Sequence, residues 1–229
     1  MFGWSEGTII AAIIADQKKA KVDALFLAGY CNDNMTDIIK WQHSGEPAIL
    51  ALGDYFDRDQ NRIITRTEYE AKDEVITSYR RSVLGDRSFD QLDVNKDSLF
   101  TKEDFKGSLE PKLKAVLDAV DRKDDEWIWK NYFKVTTDWI IEHGRLEPNK
   151  KRMLRLDMPI FIFQGAIDGN TPVDGVYDVE NRFKNNRKNN LNVFVFKGHN
   201  HDLNYLDWIT KKSISEGIAK IFEVAEVIK

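Results

Sequence analysis

The chain has 229 residues, of which 42% are hydrophobic and 11% aromatic, so it can bury a substantial core. Its formal net charge of −4 argues against a nucleic-acid-binding protein, which normally carries a basic surface. The single cysteine, Cys31, excludes an intrachain disulfide and argues against a cysteine-based zinc site, and no run of about eighteen apolar residues predicts a membrane span.

The first predicted element is a sharp turn between a strand and a helix. Residues 3–7 read Gly-Trp-Ser-Glu-Gly and fit the pattern G-x-S-x-G, in which small residues flank a serine because the turn crowds the backbone. A helix is predicted over Glu6–Ala20, where the isoleucines between residues 9 and 14 form one stripe. Ser5 would then lie at a helix N-terminus, where positive potential favours a developing oxyanion. The simpler interpretation, that Ser5 is the N-cap of this helix, stays open.

Three short apolar runs are predicted to be buried strands of one parallel sheet. They are Ala24–Ala28, Ile160–Phe163 and Val193–Phe196, each rich in β-branched or aromatic residues. Helices are predicted over Val173–Asn185 and Asp207–Ile228, so strands and helices alternate as in α/β proteins. A mostly helical stretch interrupts this pattern. We therefore predict an α/β core of residues 1–30 and 156–229, with residues 31–155 inserted as a helical subdomain.

Two acidic loops of the inserted subdomain have the twelve-residue pattern of EF-hand calcium loops. In residues 57–68, position 7 offers its backbone carbonyl and position 12 a bidentate glutamate, and the predicted ligands are Asp57, Asp59, Asn61, Ile63 and Glu68. Residues 93–104 repeat the pattern, with Asp93, Asn95, Asp97, Leu99, Thr101 and Asp104 as predicted ligands. Position 8 of the first loop is the apolar Ile64, which suits pairing with a partner loop. The sequence thus predicts one or two bound calcium ions.

Both loops depart from the usual pattern. Position 6, where a sharp turn favours glycine, is Arg62 in the first loop and Ser98 in the second. Position 12 of the second loop is Asp104, whose side chain is one methylene shorter than glutamate, so calcium binding is expected to weaken there or magnesium to compete. A pair of acidic helix-loop-helix turns that bind no metal is the opposing interpretation.

An acidic turn and a histidine loop follow the two later strands. Asp168 lies in the run Gly165–Pro172, and two histidines, His199 and His201, follow Gly198. Asp168 also has an ordinary interpretation as a turn residue, since Asp-Gly is a turn signal. Both histidines could likewise be solvent-facing loop residues.

The order serine, aspartate, histidine, with these flanking elements, resembles the serine hydrolases of the α/β-hydrolase superfamily over residues 1–30 and 156–229. The resemblance implies that Ser5 is the nucleophile, His201 the general base, Asp168 the residue that orients the imidazole, and the Glu6 N–H an oxyanion donor. The loop of this family usually reads Gly, any residue, Gly, His, which favours His201. Asn200 stands where the second glycine is usual, so His199 stays a second candidate.

The same resemblance predicts an incomplete sheet. The family fold has eight strands and its serine turn follows the fifth, whereas here the turn starts at residue 3. The Ala24–Ala28 strand is then expected to be an apolar edge, which invites association. Three explanations stay open: the chain belongs to a longer enzyme, it forms a homo-oligomer through this edge, or it is a natural truncation with little catalysis.

The function that the resemblance implies is a carboxylesterase that acts on a small-molecule acyl ester through an acyl-enzyme, with a calcium-stabilised cap containing the EF-hand pair. The alternative is a non-catalytic calcium-binding module or an inactive hydrolase remnant. Residues 1–5 lack the basic and apolar regions of a signal peptide, and the sequence predicts neither a compartment nor a nucleic-acid partner.

Overall fold

A computed structural model describes residues 1–228, which divide into two compact units. Unit 1 comprises residues 1–38 and 138–228, and unit 2 is Ile39–Thr137. These boundaries differ from the predicted ones because residues on both sides of the insertion pack into unit 1. Asn149 donates a hydrogen bond from Nδ2 to the carbonyl of Cys31 (3.0 Å), and Met153 is fully buried in the core of this unit. The inserted part is therefore shorter than residues 31–155.

The described residues form six strands and thirteen α-helices. The strands are β1 (Phe2–Trp4), β2 (Leu25–Ala28), β3 (Ile64–Thr65), β4 (Leu99–Phe100), β5 (Ile160–Gly165) and β6 (Leu191–Phe196). The helices are α1 (Glu6–Asp16), α2 (Met35–Gln42), α3 (Glu46–Phe56), α4 (Arg66–Tyr69), α5 (Glu74–Leu84), α6 (Phe89–Leu92), α7 (Lys106–Asp121), α8 (Asp125–Asn131), α9 (Thr137–Arg145), α10 (Asn149–Arg152), α11 (Val173–Asn185), α12 (Asp207–Thr210) and α13 (Glu216–Val227). Short 3₁₀ helices cover Lys102–Phe105 and Met153–Arg155.

Unit 1 is built on a parallel four-stranded sheet in the order β1-β2-β5-β6. Phe2 pairs with Phe26, Leu25 with Ile160, and the whole of β5 with β6. Alternate residues of each strand face opposite layers, as the pleat requires. Residues such as Leu25 and Ile162 pack with α1 and α11, whereas Ala28 and Phe163 pack towards α13. Both faces are thus covered, as expected for a parallel sheet.

The predicted strands exist, but the edge of the sheet lies elsewhere than expected. Residues 2–4 form β1 and pair with β2, so the Ala24–Ala28 run is an interior strand, and the edge strands are β1 and β6. The helix predicted over Asp207–Ile228 is also wrong, because it divides into α12 and α13. Lys212 adopts a left-handed backbone (φ 56°), and the Ser215 side chain accepts a hydrogen bond from the Ile218 N–H, which starts α13 as a new helix.

Unit 2 is a small helical subdomain with its own core. Its buried side chains come from α3 to α6 and from a short antiparallel ladder in which Ile64 of β3 pairs with Phe100 of β4. Ile64 is fully buried and Phe56 and Phe89 pack in the same cluster. Within residues 1–228, no helix of either unit combines the length and apolar character needed to cross a bilayer.

Candidate functional site

Ser5 lies in a strained turn between β1 and α1. Its backbone has a positive φ (φ 54°, ψ −121°), a sparsely populated conformation that costs a non-glycine residue about 1–3 kcal/mol. Gly3 permits the turn, because a Cβ there would overlap the carbonyl oxygen of Gly7. The Ser5 N–H donates to the carbonyl of Ala28 in the adjacent β2 (2.9 Å). The Ser5 side chain makes no capping hydrogen bond to the first turn of α1 within the described chain, so capping does not explain the serine.

Asp168 follows β5 and its carboxylate is completely buried. The backbone N–H groups of Asn170 and Thr171 donate to Oδ1 at 2.8 and 2.9 Å. Gln164 Nε2 and Thr171 Oγ1 donate to Oδ2 at 2.6 and 2.8 Å. A buried carboxylate is tolerated when its oxygens are satisfied in this way. The turn therefore holds an aspartate in one fixed orientation.

His201 follows β6 and contacts this carboxylate. Its Nδ1 lies 2.8 Å from Oδ2 and 3.0 Å from Oδ1 of Asp168. Because a carboxylate only accepts, Nδ1 carries the proton, and a neutral imidazole then presents a lone pair at Nε2. This is the tautomer that a general base needs.

His199, the second candidate for the general base, makes its hydrogen bonds to backbone groups instead. Its Nδ1 lies 2.9 Å from the carbonyl oxygen of Lys197, and its Nε2 accepts a hydrogen bond from the Gly217 N–H at 3.3 Å. Both ring nitrogens thus join backbone groups, and the side chain is buried. His199 is a structural residue that ties the loop after β6 to the start of α13.

The three residues singled out in the sequence all follow strands of one sheet at its carboxyl end. Ser5 follows β1, and the His201 ring lies against Gly29, directly after β2, the neighbour of β1. Trp4, the residue before Ser5, donates from Nε1 to the His201 carbonyl at 3.3 Å. The carboxyl edge of a parallel sheet is where ligands usually bind in α/β folds.

Three supporting residues were missed in the sequence. Gln164 and Thr171 hold the Asp168 carboxylate, and Gly29 makes room for the imidazole: its φ is 57° and a Cβ would lie 2.7 Å from His201 Cε1. A glycine directly after a predicted strand is a usable signal for close approach. For Gln164 the sequence offers no signal, since its role depends on packing.

Cys31, the only thiol, is not a competing nucleophile. Burial raises the pKa of the Cys31 thiol to about 12, and the nearby negative charge of Asp168 acts in the same direction. The thiolate, which is the reactive form, is therefore scarce at neutral pH.

An open apolar groove of about 620 Å³ adjoins the histidine loop. Trp4, Tyr205, Trp208, Ile214 and Phe222 line most of it. Trp208 and Phe222 expose 62% and 61% of their surface to solvent. Phe2 continues the apolar surface, since its ring makes an edge contact with that of Trp4 (5.9 Å between centroids).

The first acidic loop, residues 57–68, brings carboxylates together. Single carboxylate oxygens of Asp57, Asp59 and Glu68 lie within 4.8 Å of one another. Burial raises the pKa of Asp57, and a hydrogen bond with Asp59 adds to this. Arg62, at position 6, adopts the left-handed backbone (φ 66°) that the pattern normally assigns to glycine. Hard oxygen donors in this arrangement fit calcium.

The second acidic loop, residues 93–104, has the same backbone design. The Asp93 carboxylate accepts from the N–H groups of Asp97 and Ser98, as Asp57 accepts from Asn61 and Arg62. Ser98 is left-handed (φ 69°). Asp104 accepts from three backbone N–H groups, and Glu68 of the first loop likewise accepts from two N–H groups and a hydroxyl. The loops differ in that, among the described residues, no three carboxylates of the second loop cluster. The donor set fits calcium less well here.

Comparisons with known proteins give only distant likenesses. No protein-family model and no curated protein matches the chain. Among solved structures, a monoacylglycerol lipase from Paleococcus ferrophilus is similar at 12% identity and a TM-score of 0.36, over 92% of this chain and 64% of that one. MGS-M2, an α/β hydrolase from a Medee basin deep-sea metagenome library, is similar at 13% identity and a TM-score of 0.39, over 92% of this chain and 60% of that one. The chain thus spans less than two-thirds of either protein, and at such TM-scores neither likeness bears on its activity.

Proposed function

We propose that the chain is a serine hydrolase that cleaves carboxylic esters of small molecules through an acyl-enzyme, with Ser5, His201 and Asp168 as its catalytic residues. One observation carries the proposal: the contact between His201 Nδ1 and the buried Asp168 carboxylate, at the carboxyl end of the same sheet in which Ser5 follows β1. A serine hydroxyl is a weak nucleophile at neutral pH unless such a base removes its proton.

The reaction follows from the protonation states of these groups. The Ser5 hydroxyl attacks the ester carbonyl carbon while its proton passes to Nε2 of His201, and the Asp168 carboxylate stabilises the resulting imidazolium. The tetrahedral intermediate collapses, and the alcohol leaves with the proton from His201. Water then attacks the acyl-Ser5 carbonyl with His201 again as base, which releases the carboxylic acid and restores the serine.

The oxyanion of the intermediate needs hydrogen-bond donors. The Glu6 N–H is one of the first four amides of α1, which have no partner within the helix. Together with the positive end of the helix dipole it suits the negative oxygen. One such donor is worth about 10²–10³ in rate.

Ester hydrolysis tests this function directly. We expect the wild type to hydrolyse a p-nitrophenyl acyl ester and Ser5→Ala to lose at least about 10³-fold in kcat, because the nucleophile is gone. Ser213→Ala changes an exposed serine of the same unit and is the matched control. Hydrolysis by both wild type and Ser5→Ala at only the uncatalysed rate would favour the alternative, a non-catalytic calcium-binding module or an inactive hydrolase remnant.

We also propose that unit 2 contains an EF-hand pair that binds calcium, more tightly at the first loop. The ligands there would be Asp57, Asp59, Asn61, Glu68 and the carbonyl of Ile63, and in the second loop Asp93, Asn95, Asp97, the carbonyl of Leu99, Thr101 and Asp104. Bound calcium would neutralise the clustered carboxylates and stabilise the inserted subdomain. The pairing of Ile64 with Phe100, each at position 8 of its loop, supports a pair rather than two separate turns.

Thermal melting in calcium tests the loops. Saturation at 100 times the dissociation constant would add about 2.7 kcal/mol to the free energy of unfolding. We expect Glu68→Gln to reduce this gain and Glu74→Gln, an exposed acid outside both loops, to leave it unchanged. A melting temperature that does not respond to millimolar calcium would contradict the proposal.

Self-association is the third part of the proposal, through the β1 edge and the adjoining groove. Phe2, Tyr205, Trp208, Ile209, Ile214 and Phe222 are each at least 50% exposed. Together they expose roughly 600 Å² of side chain, if aromatic residues bury about 150–250 Å² each when fully covered. A stable interface needs about 800 Å² per partner, little more than half of it apolar. We expect a homo-oligomer by light scattering and a monomer for Trp208→Asp; a monomeric wild type would contradict this.

A further inference from the structure

Glu6 carries two groups with opposite effects on the proposed reaction. Its N–H is the proposed oxyanion donor, whereas its carboxylate is a negative charge on the residue next to Ser5. Side chains at the start of a helix lean towards its N-terminus, so an unrestrained carboxylate at this position could reach the serine turn. A negative charge free to approach the oxyanion would destabilise it. The position of the Glu6 side chain therefore matters.

Two side chains of α9 hold this carboxylate. Trp139 Nε1 donates to Glu6 Oε1 at 3.2 Å, and His143 Nε2 lies 3.0 Å from the same oxygen. Trp139 and His143 are four residues apart and so share one face of the helix. Their rings pack with centroids 4.3 Å apart. Two ring donors thus converge on one carboxylate oxygen.

The surroundings of His143 select its tautomer. Nδ1 is buried and has no hydrogen-bond partner among residues 1–228. A neutral imidazole with its proton on Nε2 points its N–H at Glu6 and avoids a buried N–H at Nδ1 that would have no acceptor. His143 can therefore donate to the Glu6 carboxylate as a neutral imidazole.

The C-terminal part of α9 is anchored beside α1. Leu146, just after the helix, packs with Ile9 and Ile13 of α1. A Cβ on Gly144 would overlap Thr36 Oγ1, so the backbone of α9 has a close neighbour there. The two donors therefore sit on an element that is fixed relative to the serine turn.

We propose that Trp139 and His143 are positioning residues that keep the Glu6 carboxylate turned away from the oxyanion and hold the Glu6 N–H in place. This inference rests on the proposed function. It assigns a role to a histidine outside the predicted catalytic residues, and it explains how an acidic residue is accommodated directly after the proposed nucleophile.

Steady-state ester hydrolysis by the full chain tests it. In His143→Phe, which keeps a ring against Trp139 but removes the donor, we expect kcat to fall about ten- to a hundredfold, the fold-change that corresponds to one hydrogen bond to a charged group. KM should change less than about twofold, because the interaction acts on the transition state. Trp139→Phe removes the indole N–H donor, together with part of the ring, and should show the same pattern. His43→Phe, a histidine of unit 2, is the control.

A second substitution, which removes the charge of Glu6, distinguishes a positioning role from a role that only stabilises the fold. Adding Glu6→Gln to His143→Phe removes the negative charge, and most of the lost kcat should return. Wild-type kcat in both single variants, or no recovery in the double variant, would overturn the inference while Ser5-dependent hydrolysis stands. If His143→Phe does not fold, the same comparison is made with Trp139→Phe. Wild-type hydrolysis that survives Ser5→Ala would instead overturn the proposed function.

Discussion

Replacing Asp168 with asparagine removes the charge of the buried carboxylate and keeps its shape. The remaining side-chain oxygen can still accept from the Asn170 and Thr171 N–H groups. The introduced amide then faces Gln164 Nε2, which is itself a donor. Gln164 cannot turn over without losing the hydrogen bond that its Oε1 accepts from the Tyr30 N–H at 2.7 Å. The hydrogen bond between Gln164 and residue 168 is therefore replaced by a contact between two donors, although Gln164 Nε2 keeps the Thr171 hydroxyl as an acceptor at 3.2 Å.

The expected losses of stability and of activity both follow from these contacts. Replacing a hydrogen bond in this buried site by a contact between two donors costs about 1–3 kcal/mol in the free energy of unfolding. The effect on activity is larger, because His201 Nδ1 must now accept from the introduced amide. Its proton moves to Nε2, so the imidazole offers Ser5 a proton instead of a lone pair, and kcat is expected to fall about 10⁴-fold.

Urea denaturation and ester hydrolysis measure the two effects separately. Asp23→Asn makes the same chemical change at an exposed position of unit 1 and should alter neither. The reasoning is wrong if Asp168→Asn retains kcat within about tenfold of the wild type while folded, since the loss expected from the wrong tautomer is about 10⁴-fold.

Three further outcomes are expected. Gly29→Ala places a Cβ 2.7 Å from His201 Cε1, and kcat should fall about 100-fold because the ring must move; a kcat within threefold of wild type would contradict this. Ser98→Gly relieves a left-handed backbone (φ 69°) and should raise the free energy of unfolding in urea by about 0.5–1 kcal/mol, with Ser98→Ala giving no gain. A hydrogen bond from Arg155 lowers the pKa of Asp16, so this contribution to stability is present above the unfolded pKa of about 4 and is lost as the pH falls below it. The melting temperature of Arg155→Gln should therefore fall less steeply on acidification than that of the wild type, and equal slopes would refute this.

Elements with a strong local pattern could be predicted from the sequence. The helix predicted over Val173–Asn185 has those bounds in the structure, because Val176, Val179 and Phe183 repeat at helical spacing and are buried. The three apolar runs are strands, and each differs in length from the prediction because pairing with a neighbour decides where a strand ends. The break between α12 and α13 could not be predicted from periodicity, since it depends on the backbone of Lys212 and on the Ser215 cap.

The candidate site likewise has one part that could be predicted from the sequence and another that depends on the folded structure. The serine, the aspartate and the two histidines stand out as residue types after predicted strands. The choice between His199 and His201 depends on which ring meets Asp168, and only the folded chain brings them together. The Gln164 contact is likewise tertiary. The two compact units divide at other residues than the predicted domains, because hydrogen bonds such as that from Asn149 to Cys31 join segments far apart in the sequence.

Covalent labelling of the wild-type chain with a fluorophosphonate, followed by peptide mass spectrometry, tests the proposed catalytic residues most directly. We predict a single phosphonylated residue, Ser5, with labelling abolished in Ser5→Ala and strongly slowed in His201→Gln. Labelling that is absent from the wild type, or that persists in Ser5→Ala on another residue, would contradict the assignment of Ser5 as an activated nucleophile.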